Sequence, residues 1–186
     1  MTAQVPDTIL IEHREYSIAG VNGGELFTPA AFGLNPMPTN TACWRGFVCR
    51  FKISDGGLLL DRLQLALGAE QGPPINRVSP SGVGTWGLVY EALGLEMPFT
   101  GTILAAEGFI RELYVHMGFH PAWKYATVFE VVVDAGKVRE VRDVSEQMGE
   151  IRTRMAGMPL GPDRRSSTKE QIRAWIDETF RQDYDP

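Results

Sequence analysis

One design is written twice in this chain, and it limits the fold more than any other feature. In "CWRGFVCRFKISDGGLLLDRLQLAL" (43–67), Phe47, Cys49, Phe51 and Ile53 share one parity and Arg50 and Lys52 the other, until Asp55-Gly56-Gly57 interrupts the alternation. In "TVFEVVVDAGKVREVRDV" (127–144), Asp134-Ala135-Gly136 separates a run of valines from Val138, Val141 and Val144. A period of two sends alternate side chains to opposite faces of a sheet. Short Asp/Gly connections supply the positive φ that tight hairpins demand. Two hairpins with no third copy at a fixed period predict a meandering antiparallel sheet and exclude a solenoid.

The intervening stretches fit the same plan. "TILIEHREYSI" (8–18) reads as two short strands around His13 and Arg14, and "PFTGTILAAEGFI" (98–110) as another strand. Residues 19–41 are rich in Gly, Pro and Asn yet carry Leu26, Phe27, Phe32, Leu34 and Met37, which is too apolar for a solvated linker and predicts an ordered loop draped over the core. Residues 68–87 form a second long loop, expected to end in a short helix with Trp86, Val89, Tyr90 and Leu93 on one face and Gly94 as its stop. Two helices are expected to close the chain. One lies near 145–156, with Asp143 and Glu146 as a capping box and Met148, Ile151 and Met155 as its stripe. The other lies near 168–182, begins at Ser167, and presents Ile172, Trp175, Ile176 and Phe180. The expected fold is α+β, mainly antiparallel β, a meandering sheet of hairpins curling toward a barrel-like or half-open form with C-terminal helices. Residues 1–186 are expected to make a single globular domain, with a β-rich core over 8–144 and a helical part over 145–186.

Charge and cysteine usage narrow the function classes. With 18 Lys+Arg against 23 Asp+Glu the formal charge is −5, and no basic run supplies the counterion release that nucleic-acid binding depends on. No apolar run reaches the ~20 residues that span a bilayer, and the N-terminal "MTAQVPDTIL" lacks the basic and apolar regions of a signal peptide. An extended 43–49 stretch would hold the Cα atoms of Cys43 and Cys49 roughly 20 Å apart at ~3.3 Å per residue, against less than about 7 Å for a disulfide. Free thiols and a cytoplasmic location are therefore expected.

Chemistry-bearing residues concentrate in "RELYVHMGFHPAWKY" (111–125). As a strand, this segment sends Leu113, Val115, Met117 and Phe119 one way and Glu112, Tyr114, His116 and His120 the other. As a helix, it aligns Phe109, Ile110, Leu113 and Met117. Its β-branched and aromatic residues and its neighbouring strands favour the strand. On a helix Glu112 and His116 would be neighbours, about 6 Å apart. On a strand they stand about 13 Å apart and cannot share an ion. The His-Glu-x-x-His pattern is absent, so no metal site is expected. Gly82-x-Gly84-x-x-Gly87 has dinucleotide-fingerprint spacing but follows Ser-Pro-Ser rather than a buried strand, so no nucleotide cofactor is expected either. No Gly-x-Ser-x-Gly elbow accompanies the serines.

Candidate acid/base residues are His120, His116 and Glu112, with His120, beside Pro121 at the segment's end, expected to be functional and His116 structural. Candidate ligand contacts are Trp44, Arg45, Tyr114, Trp123, Lys124 and Tyr125, which offer rigid aromatic area and charge. Two functional readings follow. One is a soluble cytoplasmic binding or interaction protein, of inhibitor or immunity type, that holds a small-molecule ligand or a partner protein on a polar sheet face and its long loops, with no nucleic acid, membrane or cofactor. The other is a small hydrolase or transferase in which His116, His120 and Glu112 act on an anionic substrate held by Arg45 or Lys124.

Overall fold

The computed structural model describes residues 2–68, 72–155, 168–170 and 173. The strands, in chain order, are β1 (Thr8–Ile11), β2 (Arg14–Asn22), β3 (Phe47–Ser54), β4 (Gly57–Leu65), β5 (Gly82–Gly84), β6 (Gly87–Tyr90), β7 (Leu95–Glu96), β8 (Gly101–Phe109), β9 (Tyr125–Asp134) and β10 (Lys137–Asp143), followed by α1 (Ser145–Met155). Three two-residue turns join neighbours, and both residues of each have positive φ: Glu12 and His13 (48°, 69°), Asp55 and Gly56 (49°, 70°), Ala135 and Gly136 (47°, 78°). This backbone twist matches that of antiparallel strands, so each turn fixes the register of its hairpin. At Gly136 an added Cβ would stand 2.5 Å from the Met97 carbonyl oxygen, which adds a steric reason for glycine there.

The sheet runs β10-β9-β8-β2-β1-β3-β4-β6-β5 and closes on itself, because Lys137 in β10 also pairs with Gly57 in β4. The Leu58 and Val138 N–H groups donate across this seam to the carbonyls of Gly136 and Gly56, each at 2.9 Å. The fold is thus α+β with a curled sheet, as the repeated hairpins implied. One join departs from the antiparallel meander: β1 and β3 pair in parallel.

Inside the curl, Ile9, Phe51, Leu58, Leu60, Leu63, Leu65, Ile103 and Val131 are all but fully buried. The step from Leu60 to Leu63 breaks the alternation of β4, and a bulge explains it, since Arg50 pairs with Arg62 while the next residue, Phe51, pairs with Leu60. The extra residue, Asp61, receives ion pairs from Arg50 (2.7 Å) and Lys52 (2.9 Å). Desolvation alone would raise the Asp61 carboxyl, but hydrogen bonds from Lys52 and Arg50 outweigh it and hold the group below its ordinary pKa. Outside the curl, α1 and the 122–124 turn cover a second cluster built on Leu104, Ala106, Tyr125 and Val128, to which Val144 and Met148 belong. Asp143 accepts the Ser145 N–H at 2.9 Å at the head of α1.

Three local expectations are corrected. Residues 82–90, expected to run from a loop into a helix, form the β5–β6 hairpin. Its Gly87 has φ 113°, and a Cβ there would overlap the Leu65 carbonyl. Tertiary pairing of β6 with β4 overrides the helical spacing of Trp86, Val89, Tyr90 and Leu93. Residues 111–124 form neither a strand nor an α-helix, and β9 begins only at Tyr125. They hold two short 3-10 turns, Arg111–Leu113 and Ala122–Lys124, with irregular chain between. Nor is 43–49 one strand: Gly46 turns the chain at φ 72°, and β3 starts at Phe47. Both cysteines are nevertheless free and buried. The helix expected over 168–182, with Trp175, Ile176 and Phe180, lies outside the described residues apart from 168–170 and 173, of which Lys169, Glu170 and Arg173 are helical. Among the described residues, no helix is long and apolar enough to cross a membrane.

Candidate functional site

The shortness of β1 creates the site. β1 has four residues and lies between β2, with nine, and β3, with eight. Its first residue, Thr8, pairs with Ser17 on one side and Arg50 on the other. The Ile18 N–H still reaches the Asp7 carbonyl (2.8 Å), but beyond that point β2 and the approach to β3 are not joined by a ladder. Between them lies a cavity of about 270 Å³, near the lower end of the ~300–1,000 Å³ typical of ligand clefts. Ile18 and Val21 from β2, Leu26 and Phe27 from the following loop, Phe47 from β3, and Phe119 form its apolar wall. Gly20 and Gly24 contribute no side chain, so the space stays open.

One ion pair forms the polar end. Arg45 donates through Nη1 and Nη2 to the two carboxylate oxygens of Asp7, at 2.9 and 2.8 Å, and Asp7 Oδ1 also accepts the Cys49 N–H at 2.8 Å. The guanidinium carbon lies 4.7 Å from the ring centre of Phe47 and 5.4 Å from that of Phe119. Desolvation would lower the Arg45 pKa, but the hydrogen bond and charge of Asp7 prevail, so the group stays cationic. A planar cation held by a bidentate carboxylate and two rings is fixed in position before any ligand arrives. Glu25, also on the cavity wall, accepts a hydrogen bond from the Thr28 hydroxyl at 2.7 Å.

Only Arg45, of the candidates named from sequence, lines this cavity. Trp44, its neighbour, is 54 % exposed and tied through its backbone N–H to the Gln4 side chain. The histidine segment makes a separate aromatic cluster. His120 lies 4.7 Å from Phe109 and 5.2 Å from Tyr114, and Tyr125 packs edge-on against Phe109. Both ring nitrogens of His120 are shielded and lack a hydrogen-bond partner. Burial, with help from the nearby Lys124 charge, pushes its pKa down to about 4. His116 is exposed, with Nδ1 2.9 Å from the Tyr114 hydroxyl, and Glu112 is exposed as well. Lys124 is 1 % exposed, near the Trp123 ring, and burial lowers its pKa to about 8. No group of three metal-ligating side chains occurs among the described residues.

The segment reaches the cavity at one residue only, Phe119. It is delivered there by the adjacent Gly118, which bridges Ala3 and whose carbonyl accepts the Gln4 N–H at 2.7 Å. Asp7, Phe27, Phe47 and Phe119 were not legible as site residues in the sequence, where the three phenylalanines read only as core or strand positions, because what unites the four is contact across up to 112 positions. The one local hint was an aspartate directly after Pro6 at the head of a strand, a position suited to accepting N–H groups. Comparison with protein-family models, curated proteins and solved structures finds no match.

Proposed function

We propose that this protein is a cytoplasmic binding protein that holds a small molecule in the cavity beside β1. The observation that carries the reading is the pairing of a largely apolar recess with a single preorganised polar group, the Asp7-clamped guanidinium of Arg45. That combination of apolar walls and few convergent polar groups is what small-ligand sites require. Binding is favoured over catalysis by the state of the histidines: with a pKa near 4, His120 is a weak base at neutral pH, and Glu112 and His116 are exposed rather than gathered in a recess. Two buried free thiols support a reducing compartment.

Ligand-observed NMR screening of a fragment library tests the proposal, with wild type compared to Val21→Phe. Val21 pairs with the inward-facing Ile103, so the larger ring fills the cavity. Fragments that bind wild type should lose their signal with Val21→Phe. Fragments that bind both proteins equally, or no binding fragment at all, would overturn the assignment of the cavity.

A further inference from the structure

We infer that the cavity selects compact uncharged ligands bearing one hydrogen-bond acceptor, and discriminates against anions of the same shape. An arginine in a recess would ordinarily suggest a carboxylate or phosphate ligand. Here the fork that recognises such groups is already spent on Asp7, with both Nη atoms engaged. The lining therefore carries two carboxylates, Asp7 and Glu25, against one guanidinium. An entering anion would have to displace Asp7 or lie close to it, in an apolar recess where like charges are poorly screened.

A neutral acceptor meets no such penalty. A guanidinium has five N–H donors, and two of those of Arg45 are directed at Asp7. The others remain for a carbonyl or hydroxyl oxygen, while the ligand's hydrocarbon part lies against Phe27, Phe47 and Val21. Asp7 thus acts as a specificity residue without needing to touch the ligand: it fixes the guanidinium and cancels its charge.

This inference rests on the cavity being the ligand site, and the test separates the two claims. Octanamide and octanoate, alike in shape and different in charge, are titrated by NMR at neutral pH into wild type, Val21→Phe, Asp7→Asn and Glu25→Gln. Octanamide should bind wild type at least about tenfold more tightly than octanoate, the scale of an uncompensated like charge at a recognition site. Asp7→Asn keeps an acceptor for the Cys49 N–H but uncovers the Arg45 charge, so the preference should shrink about tenfold or reverse. Exposed Glu25→Gln leaves the fold undisturbed and should shift the ratio in the same direction, covering the case in which Asp7→Asn does not fold. Octanoate binding as tightly as octanamide to wild type, or an unchanged ratio in both charge variants, overturns the selectivity. Neither probe binding, or both binding Val21→Phe equally, overturns the cavity assignment itself.

Discussion

His120 offers a measurement in which burial and protonation can be separated. Its ring nitrogens are shielded among Phe109 and Tyr114 with no partner, and its pKa falls from the ordinary 6.5 to about 4. The unfolded chain therefore binds a proton as pH drops through 6.5, while the folded protein does not until near 4. Stability is complete above the unfolded value and is lost as pH falls through this window. Linkage with these two values removes about 2 kcal/mol between pH 7 and pH 5, reduced to about 1–2 kcal/mol because the residue retains partial solvent access. His120→Phe keeps the aromatic contacts and removes both unsatisfied nitrogens, so it should stabilise the protein at pH 7 by about 1 kcal/mol. It should also abolish this share of the acid sensitivity. Urea unfolding of wild type and variant at pH 7 and pH 5, at constant m, gives the difference directly and cancels carboxylates common to both proteins. A variant less stable than wild type at pH 7, or a stability gap that does not widen at pH 5, would refute the account of a buried neutral histidine.

Other expectations follow from individual contacts. Asp7→Ala strands the Arg45 guanidinium and the Cys49 N–H and should cost about 3 kcal/mol in chemical denaturation; Asp134→Ala, which breaks the exposed pair with Arg139, should cost under about 0.5 kcal/mol. Equal losses would mean that the clamp is no more than a surface pair. Gly87→Ala meets the Leu65 carbonyl at φ 113° and should lower stability by about 2 kcal/mol or more, whereas an unchanged melting curve would contradict the tight β5–β6 turn. Burial raises the pKa of both thiols, that of Cys49 well above the ordinary value, so a thiol reagent should react slowly with the native protein and find two free thiols after denaturation. Fewer than two thiols in non-reduced, denatured protein would contradict the free state.

The curled hairpin sheet was legible from sequence because its signals are local. Alternation along 47–53 and the valine run before Asp134, each broken by an Asp-Gly-type turn, depend only on residues a few positions apart. Of the loop apolars, Leu26, Phe27 and Leu34 are buried, whereas Phe32 and Met37 are exposed. Where local signals conflict, long-range pairing decides. Residues 86–93 have helical spacing, yet the hydrogen-bonding edge of β4 draws residues 87–90 into a strand. Segment 111–124 satisfies two periodicities on paper and follows neither, because its two ends are tied together, the Ile110 N–H donating to the Lys124 carbonyl, while its middle is held by the bridge of Gly118 to Ala3. The cavity belongs wholly to this second kind of information. Arg45 at the entrance of a strand beside an apolar loop is readable from neighbouring residues alone. Asp7 meets it across 38 positions and Phe119 closes the recess only in the folded chain, because the parallel pairing of β1 with β3 joins segments distant in sequence, Thr8 standing opposite Arg50.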